Sequence, residues 1–272
     1  MTTAEPIIRL ADATVRFDRQ TVLEGITLDV LPHQTLALIG ESGCGKSVTL
    51  KLIVGLLKPT SGDVLFEGKS VQKMTERELT AMRLRVGFVF QQAALFDSLT
   101  VFDNVAFGPR AKGGASEDAI RSIVRDRLQE VGLPKASEAK MPVELSGGMR
   151  KRVGLARALA LDPDVMLYDE PTTGLDPIMT DVINELILRT RSRRPVTSLV
   201  VTHEMRTVQK VAERVVMMYP HARLNPGEPQ LLYDGPPDGL HDHADPRVRQ
   251  FVRGEALDRL VELRDLDAGD RP

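Results

Sequence analysis

The residues with the clearest chemical meaning form one short run with the spacing G-x-x-x-x-G-K-S. Glycines at this spacing let successive backbone N–H groups turn towards an anion, and a helix that follows them adds the positive end of its dipole. The lysine would reach the terminal phosphates of a ligand, and the hydroxyl would ligate Mg²⁺. The run, called the glycine loop below, consists of Gly40, Glu41, Ser42, Gly43, Cys44, Gly45, Lys46 and Ser47. It predicts a phosphate-binding site; the alternative is a glycine turn that merely precedes a lysine.

A pair of acidic residues makes the predicted chemistry more specific. Asp169 and Glu170 follow the apolar residues 165–168, which have the character of a buried strand. Because open α/β sheets bind ligands at the carboxyl ends of their strands, we expect both acids to face the glycine loop. Asp169 would hold Mg²⁺, directly or through water, and Glu170 would orient or deprotonate an attacking water. The alternative is that both acids simply cap the next segment.

A second glycine-containing run lies in the middle of the chain and is called the signature run below. It consists of Leu145, Ser146, Gly147, Gly148 and Met149. Helical spacing of apolar residues follows, and we expect that helix to begin near Arg150. The serine and the two glycines would then present backbone donors at the positive end of a helix. The signature run therefore predicts a second anion-binding site.

The elements that must position these residues alternate along the chain. Apolar segments predict strands at 35–39, 86–90, 165–168, 198–202 and 215–218. Helical periodicity predicts helices at 48–54, 75–85, 116–131 and 178–189, with a further helix start near Thr100. Strands that alternate with helices predict a mostly parallel sheet with right-handed crossovers. Residues 7–30 alternate in polarity, which predicts antiparallel strands before that sheet.

The predicted domain organisation is one α/β domain with an appended helical segment. Residues 7–240 form the main domain, and residues about 92–160 form a helical insertion within it. Residues 241–272 form a C-terminal helical extension, which we expect Gly254 to break in two. Its apolar positions include Phe251, Leu257, Leu260 and Val261. This apolar stripe suits either a contact with a neighbouring subunit or packing on its own domain.

Composition argues against several classes of protein, although it leaves room for a local basic patch. The 272 residues carry a formal net charge of -2, which argues against a general nucleic-acid binder. No apolar run reaches the roughly 18 residues that a membrane-spanning helix needs. The first ten residues lack a signal-peptide pattern, and the single cysteine fits a reducing compartment, so we expect a cytosolic chain.

The order of these motifs resembles the ATP-binding cassette (ABC) family. The signature run, the sequence D-E-P at 169–171 and the sequence G-L-D-P at 174–177 occur in the family's order, and the resemblance covers about residues 7–240. It implies a P-loop NTPase fold with a RecA-like core, an N-terminal antiparallel β-subdomain and a helical subdomain. It also implies hydrolysis of ATP with Mg²⁺ by a homodimer, in which the signature run faces the glycine loop of the second copy.

The resemblance also implies roles for individual residues. Phe17 matches the aromatic residue that stacks on adenine, where the family more often has tyrosine. Gln91 matches the glutamine that contacts Mg²⁺ or the attacking water, and Asp176 the acid that crosses to the other subunit. His203 matches the histidine at the γ-phosphate, although a lone histidine at a strand end is more often structural. The implied catalytic residues are Glu170, His203, Gln91 and Lys46. The implied metal ligands are Ser47, Gln91 and Asp169. The implied ATP-binding residues are Phe17, the residues of the glycine loop and Val48.

One departure from the family's sequence pattern narrows the resemblance to a subfamily. The signature usually ends in glutamine, and Met149 takes that place here. Met149 and the sequences of residues 45–48, 90–105, 149–152 and 245–251 are similar to those of the ATPases of Mla-type, Mce-associated phospholipid transport systems. That likeness implies a polytopic membrane permease, Mce-type lipid-binding subunits and small accessory subunits as partners, no nucleic acid, and a location on the cytoplasmic face of the inner or plasma membrane.

Two other functions share part of this pattern. An importer of amino acids or small polar solutes has an ATPase with the same core motifs. A soluble ABC ATPase of DNA repair or translation usually carries two cassettes or a long coiled coil, and neither occurs here. The apolar residues 95–107 suit either a helical core or a groove for a short permease helix. No role is predicted for residues 220–234.

Overall fold

Two β-sheets form the framework of residues 5–18 and 20–256, which the computed structural model describes. In chain order the strands are β1 (Ile8–Phe17), β2 (Gln20–Val30), β3 (Thr35–Gly40), β4 (Ser61–Phe66), β5 (Lys69–Ser70), β6 (Val86–Val89), β7 (Val165–Asp169), β8 (Thr197–Val201), β9 (Arg214–Met218) and β10 (Leu231–Gly235). The helices are α1 (Lys46–Ile53), α2 (Glu76–Arg83), α3 (Val101–Lys112), α4 (Glu117–Glu130), α5 (Gly147–Leu159), α6 (Pro177–Arg193), α7 (Met205–Val211) and α8 (Pro246–Arg253).

The larger sheet has the strand order β10-β9-β3-β8-β7-β6 in the described part of the chain. Strand β3 pairs in parallel with β8 on one side and β9 on the other, and all six of its residues are buried. Burial on both faces explains why these strands are continuous apolar runs rather than alternating ones. The parallel order brings the carboxyl ends of β3, β6, β7 and β8 to one edge of the sheet.

Strand β10 pairs antiparallel with β9 and was not predicted from the sequence. It is short, and the Pro- and Gly-rich residues 220–230 separate it from its partner, so no hairpin turn signal marks the pair.

The smaller sheet is antiparallel, with the order β2-β1-β4-β5 among the described residues. Its inner face packs on α1, where Leu10 and Leu28 join Leu50 and Leu52 in one buried cluster. The sheet therefore lies directly over the helix that follows the glycine loop. Antiparallel strands in residues 7–30 were predicted, and both β1 and β2 are present.

Helices α3, α4 and α5 form the predicted helical insertion around a shared apolar core. Val105, Val124 and Val153, one from each helix, are fully buried there. Each such side chain contributes about 1.5–3 kcal/mol by its transfer from water. The hydroxyl of Thr100 accepts from Asp103 N at 3.1 Å and caps α3, close to the predicted start.

Two predicted helix boundaries were wrong. Helix α5 begins at Gly147 rather than near Arg150, because the Ser146 side chain accepts from Met149 N and makes Ser146 the N-cap. Helix α6 extends to Arg193, beyond the predicted end at 189, since its last turn places arginines next to the negative end of the helix dipole.

Helix α8 lies within residues 241–256, the described part of the predicted C-terminal extension. It ends at Arg253 and is capped by Gly254, whose φ of 68° suits glycine, at the predicted break. Val248 and Phe251 pack against Leu240 and Tyr233 of the same chain. The predicted apolar positions Leu257, Leu260 and Val261 lie outside the described residues. No helix in the described ranges is long and apolar enough to cross a bilayer.

Candidate functional site

The glycine loop connects β3 to α1 and packs tightly against two neighbouring strands. A Cβ on Gly40 would lie 2.2 Å from the Met218 carbonyl oxygen at the end of β9. A Cβ on Gly45 would lie 2.3 Å from Leu23 Cδ2 on β2, and Gly45 has a φ of +105°. Both positions therefore require glycine for space and for backbone conformation. The spacing read from the sequence corresponds to a loop that is held close to the sheet.

Lys46 begins α1 and is buried with its ammonium group on the loop itself. Its Nζ donates to the carbonyl oxygens of Gly40 at 2.7 Å and Glu41 at 2.9 Å. The Cys44 sulfur lies 3.8 Å from the same Nζ. Burial raises the pKa of the Cys44 thiol, so the thiol stays protonated near neutral pH and fills space rather than acting as a nucleophile.

Ser47 and Asp169 meet across the sheet edge. The Ser47 hydroxyl donates to Asp169 Oδ1 at 3.0 Å, although 122 residues separate them in sequence. Burial raises the pKa of Asp169, and the hydrogen bond from Ser47 opposes that rise. A hydroxyl and a carboxylate are hard oxygen donors of the kind that Mg²⁺ binds. The pair therefore fits the predicted cation.

Other ligands would have to complete that coordination. No cluster of three or more histidine, cysteine or acidic side chains that could hold a metal occurs within residues 5–18 and 20–256. Mg²⁺ usually keeps several waters and takes one or two carboxylates plus substrate phosphates. The residues present fit a Mg²⁺ ion that arrives together with a phosphate ligand.

Glu170 lies at the centre of a group of polar side chains from three strand ends. Its Oε2 accepts from Gln91 Nε2 at 3.2 Å and from Thr173 Oγ1 at 2.8 Å. Its Oε1 lies 3.3 Å from Nδ1 of His203. Gln91 follows β6, Glu170 follows β7 and His203 follows β8, so the parallel sheet brings three of the four predicted catalytic side chains together; Lys46, the fourth, lies on the glycine loop. A carboxylate in this position can accept a proton from water.

Lys151 is a site residue that was not predicted from the sequence. It lies on α5, is 8% exposed, and donates from Nζ to the Glu170 carbonyl oxygen at 3.2 Å. Burial lowers the pKa of Lys151, and the nearby carboxylate of Glu170 partly opposes this shift. The backbone of Glu170 has a φ of +45°, and its N–H donates to the Val201 carbonyl oxygen at 2.9 Å. Lys151 and β8 therefore fix this unusual conformation from two sides. The only signal in the sequence was a cation within the helix after the signature run.

The signature run lies at the N-terminus of α5 and next to the start of α6. Asp176 caps α6 by accepting from Ile178 N and Met179 N, each at 2.9 Å. A Cβ on Gly148 would lie 2.8 Å from the end of the Met179 side chain, whereas nothing lies within 4 Å of one on Gly147. Within the described residues, no hydrogen bond joins the signature run to the glycine loop.

Phe17 and Val48 complete the predicted ATP-binding residues. Phe17 ends β1 with 45% of its surface exposed, which leaves its ring available for stacking. Val48 lies in the first turn of α1 and packs on the apolar cluster below the glycine loop.

A glycine loop between a buried parallel strand and a helix, with two acids at the carboxyl end of another parallel strand of the same sheet, defines a P-loop nucleotide-binding fold. Residues 23–173 match the ABC transporter family. The intermembrane phospholipid transport system ATP-binding protein MlaF of Haemophilus influenzae is 38% identical, over 92% of this chain and 91% of that protein. The probable ribonucleotide transport ATP-binding protein mkl of Mycobacterium leprae is 39% identical, over 92% of this chain and 70% of that protein.

A solved structure gives the same result for the fold. The dimeric structure of MJ0796, a bacterial ABC transporter cassette, has a TM-score of 0.73 and 31% identity over 78% of this chain and 94% of that chain. The chain therefore belongs to the ABC transporter family, as an ATP-hydrolysing cassette subunit. This confirms the fold and the enzyme class that the motifs predicted.

Proposed function

We propose that two copies of this chain hydrolyse ATP in composite sites and drive the transport of phospholipid through a membrane permease. Two sets of side-chain contacts support ATP hydrolysis. Ser47 donates to Asp169, and Glu170 contacts Gln91, Thr173 and His203. The likeness to MlaF, a named phospholipid transport ATPase, over nine-tenths of both chains supports the lipid.

The residues of one copy would act as follows. The glycine loop binds the phosphates, Lys46 compensates their negative charge, and Phe17 stacks on the adenine ring. Ser47, Asp169 and Gln91 would hold Mg²⁺, which supplies charge compensation at the phosphate oxygens. Glu170 orients the attacking water and accepts its proton, and His203 lies close to the γ-phosphate.

The second copy completes each site. The N-terminus of α5 carries the backbone donors of the signature run, and no hydrogen bond in the described chain joins that run to its own glycine loop. We therefore assign the signature run to the ATP bound by the other copy, with Asp176 at the same interface. Met149 removes the side-chain amide that usually ends the signature, but the backbone donors and Ser146 remain.

Residues 95–107 offer a docking surface for the permease. Phe96 and Phe107 are 42% and 49% exposed, and their ring centroids lie 4.7 Å apart. Exposed aromatic side chains that cluster in this way are typical of protein interaction sites. The same proposal places the chain at the cytoplasmic face of a membrane, in a complex with Mce-type and accessory subunits.

A comparison of two substituted chains tests the permease surface. Phe107→Asp should abolish co-purification with the permease from detergent-solubilised membranes, because a carboxylate would be buried in an apolar contact. Leu56→Asp, at an apolar residue that is 62% exposed outside this surface, is the control and should co-purify normally. Normal co-purification of the Phe107→Asp chain would contradict this docking surface.

The transported substrate is tested on the purified complex. We expect mass spectrometry to find bound phospholipid, and phospholipid to stimulate ATP hydrolysis in the wild type but not in the Lys46→Ala variant. A polar solute or ribonucleotide that stimulates hydrolysis, with no lipid bound, would favour a solute importer, as the name of mkl suggests for that relative. Recovery of a free dimer or of a ribosome complex would instead favour the soluble class.

A further inference from the structure

Residues 219–230 connect β9 to β10 and are called the hairpin insertion below. The Tyr219 N–H donates to the Gln230 carbonyl oxygen at 2.9 Å and closes the base of the insertion. From that base the chain folds over the side of the molecule where β2 passes the glycine loop. No role was predicted for this segment from the sequence, and its contacts now provide one.

Gln230 lies between β2 and the glycine loop, with only 4% of its surface exposed. Its amide Nε2 donates to the carbonyl oxygens of Val22 at 2.9 Å and Cys44 at 3.1 Å. Its Oε1 accepts from the Glu24 N–H at 3.1 Å. One buried side chain therefore satisfies three backbone groups, two on β2 and one within the glycine loop.

A second contact from the insertion reaches the same loop. Arg223 Nη1 donates to both carboxylate oxygens of Glu41, at 2.7 and 2.8 Å. The Arg223 guanidinium lies 4.9 Å from the centroid of the Tyr219 ring, and Arg247 of α8 lies 5.0 Å from the same centroid. The insertion thus holds the loop at Glu41 and at Cys44, and Arg223 compensates a carboxylate beside the expected phosphates.

The contact at Cys44 has a direct consequence for the loop's donors. A trans peptide is planar, so the Cys44 carbonyl and the Gly45 N–H point in opposite directions. A hydrogen bond that fixes the carbonyl towards Gln230 also fixes the Gly45 N–H towards the opposite side, away from β2. Gly45 has a positive φ and packs on Leu23, so a small shift of β2 would also move this peptide.

We propose that the hairpin insertion is a positioning element for nucleotide binding, and that Gln230 is its main residue. Gln230 holds the peptide between Cys44 and Gly45 in the orientation that binds phosphate, and Arg223 keeps Glu41 from repelling the same phosphate. This inference rests on the proposed assignment of the glycine loop as the ATP phosphate site.

The test measures nucleotide affinity and stability separately in the full chain. Gln230→Met keeps the side-chain length but removes all three hydrogen bonds, and Gln230→Glu keeps only an acceptor for the Glu24 N–H. We expect the Kd for MgATP and MgADP, measured by titration calorimetry, to rise about tenfold in both variants. Arg223→Met, which leaves the buried amide in place, should raise the Kd severalfold, and added salt should reduce this effect.

A matched control separates positioning from general stability. Thr197 is another buried polar side chain that bonds to the backbone, since its hydroxyl accepts from the His33 N–H at 2.9 Å, but it lies at the start of β8, the end opposite His203. Thr197→Val should lower the urea midpoint while the folded protein keeps the wild-type Kd. A wild-type Kd in folded Gln230→Met protein would overturn the inference. If neither Gln230 variant folds, a wild-type Kd in Arg223→Met would overturn it.

A different set of binding results would show that the glycine loop is not the ATP phosphate site. If the wild-type chain does not bind MgATP, or Lys46→Ala binds it as tightly as the wild type, then the proposed phosphate site itself is wrong. If the wild type binds, Lys46→Ala does not, and the insertion variants bind normally, then only the positioning role is wrong.

Discussion

Glu170 carries the largest share of the proposed chemistry, and its surroundings explain how. The side chain is 18% exposed, so water can reach it, while Gln91, Thr173 and His203 restrict its orientation. Its backbone has the strained φ of +45°, and Lys151 donates to its carbonyl oxygen. A carboxylate that is fixed in place by polar neighbours can orient water without first reorganising.

Glu170→Gln should therefore separate binding from hydrolysis. We expect turnover, measured as phosphate release, to fall about 10²–10⁴-fold because the amide cannot accept a proton. The Kd for ATP should stay at the wild-type value, since no phosphate-binding group is changed. Glu185→Gln, at a glutamate of α6 that pairs with Lys210, is the control and should leave turnover unchanged. Near-normal turnover of the Glu170→Gln chain would exclude the proposed role.

At the scale of secondary structure, the N-terminal caps of the helices determine which helix ends have backbone donors available for a ligand. Ser146 at α5 and Asp245 at α8 each cap a helix with a side-chain oxygen. The cap of α5 exposes donors for a ligand, whereas the cap of α8 is closed by the Arg247 side chain, whose Nη2 donates to Asp245 Oδ2 at 2.7 Å. Arg247 also contacts the Tyr219 ring, so α8 and the hairpin insertion share one contact region.

Asp245→Ala should destabilise the chain in a pH-dependent way. Hydrogen bonds from the Arg247 side chain lower the pKa of Asp245, so its stabilising effect is complete above the unfolded-state pKa of about 3.9. It is lost as the pH falls through the lower folded-state pKa. We expect urea unfolding to give a deficit of about 1 kcal/mol that is constant from pH 7 to 5 and shrinks below about pH 4.

The exposed neighbour Asp242 provides the control for this experiment, since Asp242→Ala leaves the cap intact. A deficit that grows as the pH falls would contradict the assigned pairing of Asp245 with Arg247.

At the scale of the whole molecule, we propose that the chain contributes two halves of a site rather than one complete site. The glycine loop lies at the carboxyl end of β3, and the signature run lies at the start of α5 in the helical insertion. A solved cassette with the same fold, MJ0796, is dimeric. Two copies arranged so that each signature run meets the other copy's glycine loop would complete both sites. Under this proposal, hydrolysis would depend on dimerisation.

Ser146→Arg should abolish turnover but spare ATP binding to the Lys46 side of the site. The long cation would block the approach of the second copy, so the variant should also fail to form the ATP-dependent dimer that we expect for Glu170→Gln in sedimentation experiments. Ser116→Arg, which removes the equivalent cap of α4, is the matched control and should dimerise normally. An ATP-dependent dimer of the Ser146→Arg, Glu170→Gln double variant would contradict the composite site.

The sequence alone determined the local features of this protein. The spacing of the glycine loop, the apolar strand before Asp169 and the periodicity of the helices all depend on neighbouring residues, because backbone preference and amphipathic period act over short distances. Boundaries were less accurate where a side chain decided them, as at Ser146, which starts α5 earlier than the apolar spacing indicates.

Only the tertiary structure decided which distant residues meet. The motifs predicted that Asp169 and Glu170 face the glycine loop, but the strand order, which places β3 beside β8, is what brings Ser47 to Asp169 and Gln91 to Glu170. Lys151 and Gln230 remained unidentified because a single polar residue in a helix or an irregular segment has no periodic pattern. Gln230 reaches Cys44 across 186 residues, and that contact exists only because β10 pairs with β9 and folds the insertion back over the glycine loop. Long-range contacts of this kind depend on sheet order and burial, which no local spacing encodes.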